Sequence, residues 1–284
     1  MSGTGEQRDL APVNRLGLAG SGHLAWHWNA LLSQADRSFD THYHRSPLKP
    51  ALWSADSATQ LTHNPEDLRH CDAVFLALSD RALGSFSASL GNYQGLRIHG
   101  SGGRSIEVLG TAEGQRNAVF YLPQTFTAGR PLNYPGLPVC IEASREEDAV
   151  HLEQFALQLG LRPVRMDSAA RAQLHLAAVF ANNFANLQFD LAERILAEHQ
   201  LPPDLLRPLM QETLHKAWDL GPRPAQTGPA RRGDLVTVRK HLKMLKNQRW
   251  KRLYRVLSNF LFEDGQAERS APPHPPKDTA EHVV

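Results

Sequence analysis

The stretch Leu16-Gly17-Leu18-Ala19-Gly20-Ser21-Gly22-His23-Leu24-Ala25 decides how this chain is read. Residues 13–19 are strand-like, residues 24–32 are helix-like, and G-x-G-x-x-A joins them. That order is the phosphate turn of a dinucleotide-binding unit. Gly20 permits the tight turn, and Gly22 lets the backbone approach a pyrophosphate. Ala25 stands where a small residue lets helix and strand pack closely. The helix amino terminus, around Ser21, Gly22, His23 and Leu24, offers free N–H groups and the positive end of its dipole.

Outward from this turn, strands and helices alternate. Phe39-Asp40-Thr41-His42-Tyr43-His44 reads as a second strand, ended by Arg45-Ser46-Pro47. The apolar run at 73–78 suits a parallel strand buried on both faces. Residues 96–99 and 118–121 are further strands. They are followed by Gly100-Ser101-Gly102-Gly103, read as flexible, and by Leu122-Pro123-Gln124-Thr125-Phe126. Strands at 138–143 and 162–166 flank a helix at 149–159. The pattern predicts an α/β fold with a doubly wound, mostly parallel Rossmann sheet.

From Asp167 the texture changes. Residues 168–199 form one helical stretch without Gly or Pro, capped by Asp167 or Ser168. Further helices follow at 204–220 and, with one break, at 234–262, and the stretch 221–229 between them is too rich in Gly and Pro for regular structure. The expected organisation is a Rossmann-like NAD(P)-binding domain at 12–166, an all-helical domain at 167–262 and a disordered tail at 263–284.

Composition narrows the class. At 284 residues, 41% of them apolar, the chain can build a substantial core. Its two cysteines, Cys71 and Cys140, sit among apolar neighbours and read as buried free thiols. There is no C-x-x-C and no metal-ligand cluster in the sequence. The first ten residues are polar and no apolar run is long enough to cross a bilayer, so a cytoplasmic protein without membrane attachment is expected. The net charge of +2 is too small to argue for nucleic acid. Residues 231–255 carry ten Lys or Arg against one acid, but Leu235, Val238, Leu242 and Leu245 repeat at helical spacing. A solvated basic face opposite a core face therefore explains them better than nucleic-acid binding.

Several residues follow strands, where such sheets place their ligands. Arg45 and Ser46 stand where an acid would grip the ribose of NAD. Arg45 can pair with the 2′-phosphate of NADP, or it is a solvated surface arginine. NADP is the favoured cofactor, with NAD as the second fit. Leu78, Ser79 and Asp80 end the most buried strand and face either the cofactor or, for Asp80, the cap of the next helix. Ser101 and Thr125 can hydrogen-bond a substrate oxygen, and His99 can donate a proton or be structural. On the long helix, His175 and Asn182 lie seven positions apart on one face. That face looks across a cleft at the nicotinamide, or else it forms a helix–helix hydrogen bond in the core. Gln226, Thr227 and Arg232 are candidates to line the same cleft.

With these residues assembled, the chain resembles the Rossmann-like proteins whose second domain is the domain of unknown function 2520. The motifs that carry the resemblance are Gly20-Ser21-Gly22-His23-Leu24-Ala25, Ile98-His99-Gly100-Ser101-Gly102 and Tyr121-Leu122-Pro123-Gln124-Thr125-Phe126, with residues 175–183 and 226–234. The cofactor domain is similar to that of deazaflavin-dependent NADP reductases and pyrroline-5-carboxylate reductase. The helical domain is similar to that of the 6-phosphogluconate dehydrogenase group. Hydroxyacid dehydrogenases of that wider group carry a catalytic lysine three residues before an Asn-Asn pair. Here that position is Val179, ahead of Asn182-Asn183. His175 is the nearby titratable residue one turn earlier.

The expectation is an NADP-dependent oxidoreductase that passes a hydride to a C=O or C=N group of a small-molecule substrate. His175 would be the acid, with His99 as the other candidate. Ser101, Asn182 and Gln226 would orient the substrate. The alternative is a non-catalytic NADP(H)-binding sensor or partner-binding protein. The apolar long helix suits a homodimer.

Overall fold

The computed structural model describes residues 14–48, 53 and 59–270. It contains one eight-stranded sheet: β1 (Leu16–Ala19), β2 (Thr41–Tyr43), β3 (Gln60–Thr62), β4 (Ala73–Leu76), β5 (Leu96–His99), β6 (Arg116–Tyr121), β7 (Pro138–Ala143) and β8 (Arg162–Arg165). The strand order is β3-β2-β1-β4-β5-β6-β7-β8. The first six strands run parallel in the order of a doubly wound dinucleotide-binding sheet. The β6–β7 pair is antiparallel, so β7 and β8 form a reversed edge that alternation alone does not foretell.

β1, β4 and β5 are buried at every position. Such strands need apolar cover on both faces. One face carries Leu18, Phe75, Ile98 and Phe120 under Trp28 and Leu31 of α1 (His23–Ser33) and Phe155 of α3 (Glu146–Gln158). The other carries Val74 and Leu76 under Leu83 of α2 (Leu83–Ser89) and Leu109. A smaller cluster joins Val119, Tyr121 and Cys140 to Leu174 of α4 (Ser168–Ala178). Cys71 and Cys140 are buried free thiols.

α4 is capped by Asp167, whose carboxylate accepts from the Ala170 N–H at 2.7 Å. It continues through a π-helical turn at Val179–Phe184 into α5 (Ala185–Glu198). Then come α6 (Arg207–Leu220), α7 (Pro222–Ala225), α8 (Pro229–Arg232), α9 (Leu235–Met244) and α10 (Gln248–Ser270). Among the described residues no helix is long and apolar enough to cross a membrane.

Three features of the organisation stand beside the expectations. The chain divides into two compact units between Asp190 and Leu191, whereas the texture of the sequence changes at 166/167. The reason is Arg171, which is 1% exposed on α4 and ion-paired with Glu142 of β7. Arg171 also donates to the Arg104 carbonyl, and Ser168 donates to Glu142 at 2.7 Å. Breaking a buried pair of this kind costs about 3–5 kcal/mol, so the first part of the long helix is tied to the sheet. Second, the stretch 221–229 is not wholly irregular: proline at the first helical turn starts α7 and α8, where its missing N–H costs nothing. Third, α10 runs to Ser270, into the expected tail; residues 271–284 lie outside the described residues.

Candidate functional site

β1, β4, β5 and β6 are parallel, so the loops that follow them all open at one edge of the sheet. The phosphate turn lies there. Gly20 has φ +115°, and a Cβ on it would sit 2.3 Å from the Ala77 carbonyl oxygen. Glycine is therefore required twice over, by backbone conformation and by space. Its N–H donates to the Tyr43 carbonyl at 2.9 Å, and Ala77 donates to Ala19 at 2.8 Å. Gly22 is the N-cap of α1, and a Cβ on it would meet nothing within 4 Å. Here the absent side chain leaves open space in front of a helix amino terminus without a side-chain cap. That is the cradle a diphosphate needs.

Three histidines near the turn support it, and their part was not read from the sequence. His42 of β2 donates its Nε2–H to the Gly20 carbonyl at 2.7 Å. Burial lowers its pKa, the bond to Gly20 opposes this, and neighbouring His44 adds to the lowering. On α1, His23 and His27 lie one turn apart and hold the loop after β6. His23 Nδ1 accepts from the Ala128 N–H at 2.9 Å. His27 bonds to the Tyr134 hydroxyl at 2.6 Å and to the backbone of Thr127. Burial lowers the His27 pKa. The i, i+4 spacing was the signal available for that pair. His23, expected at the cofactor, thus uses one ring nitrogen to anchor this loop.

Arg45 and Ser46 follow β2 and are exposed. Arg45 has no ion-pair partner among the described residues, while the Ser46 carbonyl accepts from His44 Nδ1 at 3.0 Å. Leu78 packs beside Gly20, and Ser79 and Asp80 follow it, exposed. α2 begins after Ala82 with no side-chain cap, so Asp80 does not cap it.

The loop after β5 corrects another expectation. Its glycines serve close approach rather than flexibility. A Cβ on Gly100 would come within 2.6 Å of Trp28, and one on Gly102 within 2.7 Å of His175 and Tyr121. The Ser101 N–H donates to His99 Nδ1 at 3.1 Å, and Ser101 Oγ accepts from the Arg104 N–H at 3.2 Å. His99 is fully buried, and desolvation, reinforced by the charge of Arg171, lowers its pKa to about 4. It is neutral at physiological pH, with Nδ1 already accepting a bond. Through this bond His99 holds the start of the loop after β5.

His175 is exposed on α4, and its Nδ1 lies 3.3 Å from the Tyr121 hydroxyl. Burial raises the Tyr121 pKa, so the phenol stays protonated. His175, Tyr121, Ser101 and Gly102 thus meet at the ligand edge of the sheet. Asn182 is exposed within the π-helical turn, a feature that often marks functional sites. Gln226 lies in the second unit, exposed, and donates to the Thr227 carbonyl at 2.8 Å. In the same unit Asp234 caps α9 by accepting from the Thr237 N–H at 3.0 Å.

Residues 137–260 match the family model described as a domain of unknown function, DUF2520. A structure named a "putative NADP oxidoreductase", from Bacteroides fragilis, is 30% identical with a TM-score of 0.78, over 88% of this chain and 98% of that one. The chain belongs to the same family as this Bacteroides protein. A Thermotoga maritima protein aligns with a TM-score of 0.62 at 22% identity, over 89% of this chain and 99% of that one. The NADP-bound pyrroline carboxylate reductase of Plasmodium falciparum aligns with a TM-score of 0.56 at 14% identity, over 92% and 100%. These two likenesses are of fold alone. No match emerges among curated proteins. The DUF2520 match spans the reversed strands β7 and β8, α4 and most of the second unit. The family model therefore takes in the segment that carries His175 and Asn182.

Proposed function

We propose that this protein is an NADP-dependent oxidoreductase that reduces a C=O or C=N group of a small molecule. The observation that carries the reading is the uncovered cradle at Gly22, set before α1 at the edge where the parallel strands end. The 30% identical relative, named for NADP, supports the choice of cofactor. The backbone N–H groups of residues 21–24 would bind the diphosphate, and Arg45, exposed beside it, would bind the 2′-phosphate. When bound, the dihydronicotinamide supplies the hydride.

The chain's own share is orientation and a proton. Ser101 and Asn182 orient the substrate heteroatom. His175 delivers a proton from Nε2 to that oxygen or nitrogen as the hydride reaches carbon, and solvent recharges the exposed ring. General acid catalysis of this kind is worth about 10²–10⁴-fold. One observation favours a second reading, a non-catalytic NADP(H) sensor: the helix carries Val179 where hydroxyacid dehydrogenases carry a lysine.

Calorimetry with NADPH and NADH, on wild type and Arg45→Ala, tests the binding half. Arg45→Ala should weaken NADPH roughly 10- to 150-fold, one charged hydrogen bond, and leave NADH unchanged. Equal loss for both cofactors contradicts the 2′-phosphate assignment, and no heat with either removes the function. NADPH consumption across ketones, imines and 2-oxoacids separates enzyme from sensor.

A further inference from the structure

The phenol of Tyr121 has no place in the chemistry above, yet the structure aims it at His175. Tyr121 ends β6, is 8% exposed, and packs with Val119 and Cys140 beneath α4. Its ring meets the His175 ring edge-on, with centroids 6.0 Å apart and planes at 78°. Its hydroxyl lies 3.3 Å from Nδ1, a long hydrogen bond of the kind that tightens when substrate arrives. Of the neighbouring polar groups, His99 Nδ1 accepts from the Ser101 N–H and Arg171 is ion-paired with Glu142, while the Tyr121 hydroxyl is the partner of His175 Nδ1.

Gly102 completes the arrangement. A Cβ there would lie 2.7 Å from His175 Nδ1 and 2.7 Å from Tyr121 Cζ, too close to both rings. At Gly103 the His175 ring presents its other side: a Cβ would lie 3.5 Å from Cδ2 and 3.9 Å from Nε2. The ring is thus held through Nδ1, and its Nε2 side lies over an exposed glycine that carries no side chain.

We propose that Tyr121 is the positioning residue of His175, holding Nδ1 so that Nε2 is the nitrogen offered to substrate, with Gly102 kept bare so that the pair can close. The proposal rests on the oxidoreductase reading above and adds the device that makes its acid directional. Protons balance without any transfer to Tyr121. When the imidazolium gives its Nε2 proton to the substrate heteroatom, the ring keeps Nδ1–H, and the phenol oxygen accepts from it. Where the ring carries its proton on Nε2 alone, the phenol O–H donates to Nδ1 instead, since a hydroxyl can do either. Burial raises the Tyr121 pKa and the Cys140 thiol adds to this, while Arg171 opposes it, so the phenol keeps its own proton.

The test uses full-length protein labelled with ¹⁵N-histidine, with ring nitrogens read by NMR above the imidazole titration. The His175 signals are assigned by their loss in His175→Gln. Tyr121→Phe removes only the hydroxyl and keeps the ring in its packing. Gly102→Ala wedges the pair apart with both members present. NADPH calorimetry runs on each variant. Wild type should hold the Nε2–H tautomer, with Nδ1 shifted as a hydrogen-bond acceptor. Both Tyr121→Phe and Gly102→Ala should lower the tautomer preference about fivefold, the worth of one net hydrogen bond, with NADPH affinity unchanged. NADPH binding with an Nδ1 signal unaltered in Tyr121→Phe overturns this role alone. No NADPH binding in wild type overturns the oxidoreductase reading and this role with it.

Discussion

Gly22→Ala separates the phosphate cradle from the fold that carries it. Gly22 has φ −81° and ψ −170°, a backbone that alanine adopts freely, and its Cβ would meet nothing within 4 Å. In the free protein two small effects offset each other. Alanine reduces the entropy of the unfolded chain, worth about 0.4–1 kcal/mol. It is also a poorer N-cap than glycine, by a similar amount. The melting temperature should therefore hardly move. Binding should suffer, because the methyl group occupies the space through which the backbone would approach the diphosphate. Losing even one charge-assisted hydrogen bond costs about 1.5–3 kcal/mol, roughly 10- to 150-fold in Kd. Gly20→Ala is the contrasting control. Its Cβ would press to 2.3 Å on the Ala77 carbonyl at φ +115°, so it should unfold the turn and lower stability by about 1–3 kcal/mol. The assay pairs thermal melts of the free protein with NADPH calorimetry. Unchanged affinity in a stable Gly22→Ala protein would refute the cradle. A large fall in its melting temperature would refute the open space.

Two further outcomes follow from burial. His99 has its pKa lowered from 6.5 to about 4, so the unfolded chain takes up its proton first on acidification. The stabilising contribution is complete above pH 6.5, is lost as pH falls towards 4, and amounts to roughly 3 kcal/mol; His27 and His42 act in the same direction. Denaturant titrations at pH 7.5 and 4.5 should show this loss, and a His99→Gln protein with the same pH dependence as wild type would contradict it. We also propose that the protein is a homodimer, because α5 and α6 bury no side chain of their own while Leu187, Leu209 and Trp218 are 45%, 62% and 76% exposed. Apolar helix faces of that extent call for a partner, and a second copy supplies a self-complementary one. Light scattering should give twice 31.6 kDa, and a monomer would refute the proposal.

What could be read from the sequence was set by local, periodic or glycine-bearing signals. β1, β4 and β5 announce themselves as apolar runs because both faces are covered. Gly20 and Gly22 announce the turn because no other residue has the needed conformation and the needed emptiness there. The reversal at β7 left no trace, since a buried strand has the same composition in either direction. β3 and α2, at three and seven residues, are too short to carry a period. Sequence texture changes at Asp167, whereas packing follows Arg171, a charged residue that looks solvated in sequence and is buried in its pairing with Glu142. His99 shows the same kind of limit: a histidine at a strand end reads as either a proton donor or a structural residue until its burial is known.

The helix itself bears on where the acid should be sought. Its π-helical turn begins at Val179 and contains Asn182. Such a turn inserts an extra residue into the helix repeat, so the face that His175 presents is rotated relative to the residues beyond the turn. Sequence spacing alone places His175 and Asn182 on one face, but the π-helical turn intervenes and weakens that inference. The side chains that His175 does meet, Tyr121 and the bare Gly102, come from β6 and from the loop after β5, at the edge where the phosphate turn also opens. A group fixed from the sheet side is held by the same elements that would hold the cofactor. That shared support is the ground for testing His175 as the acid.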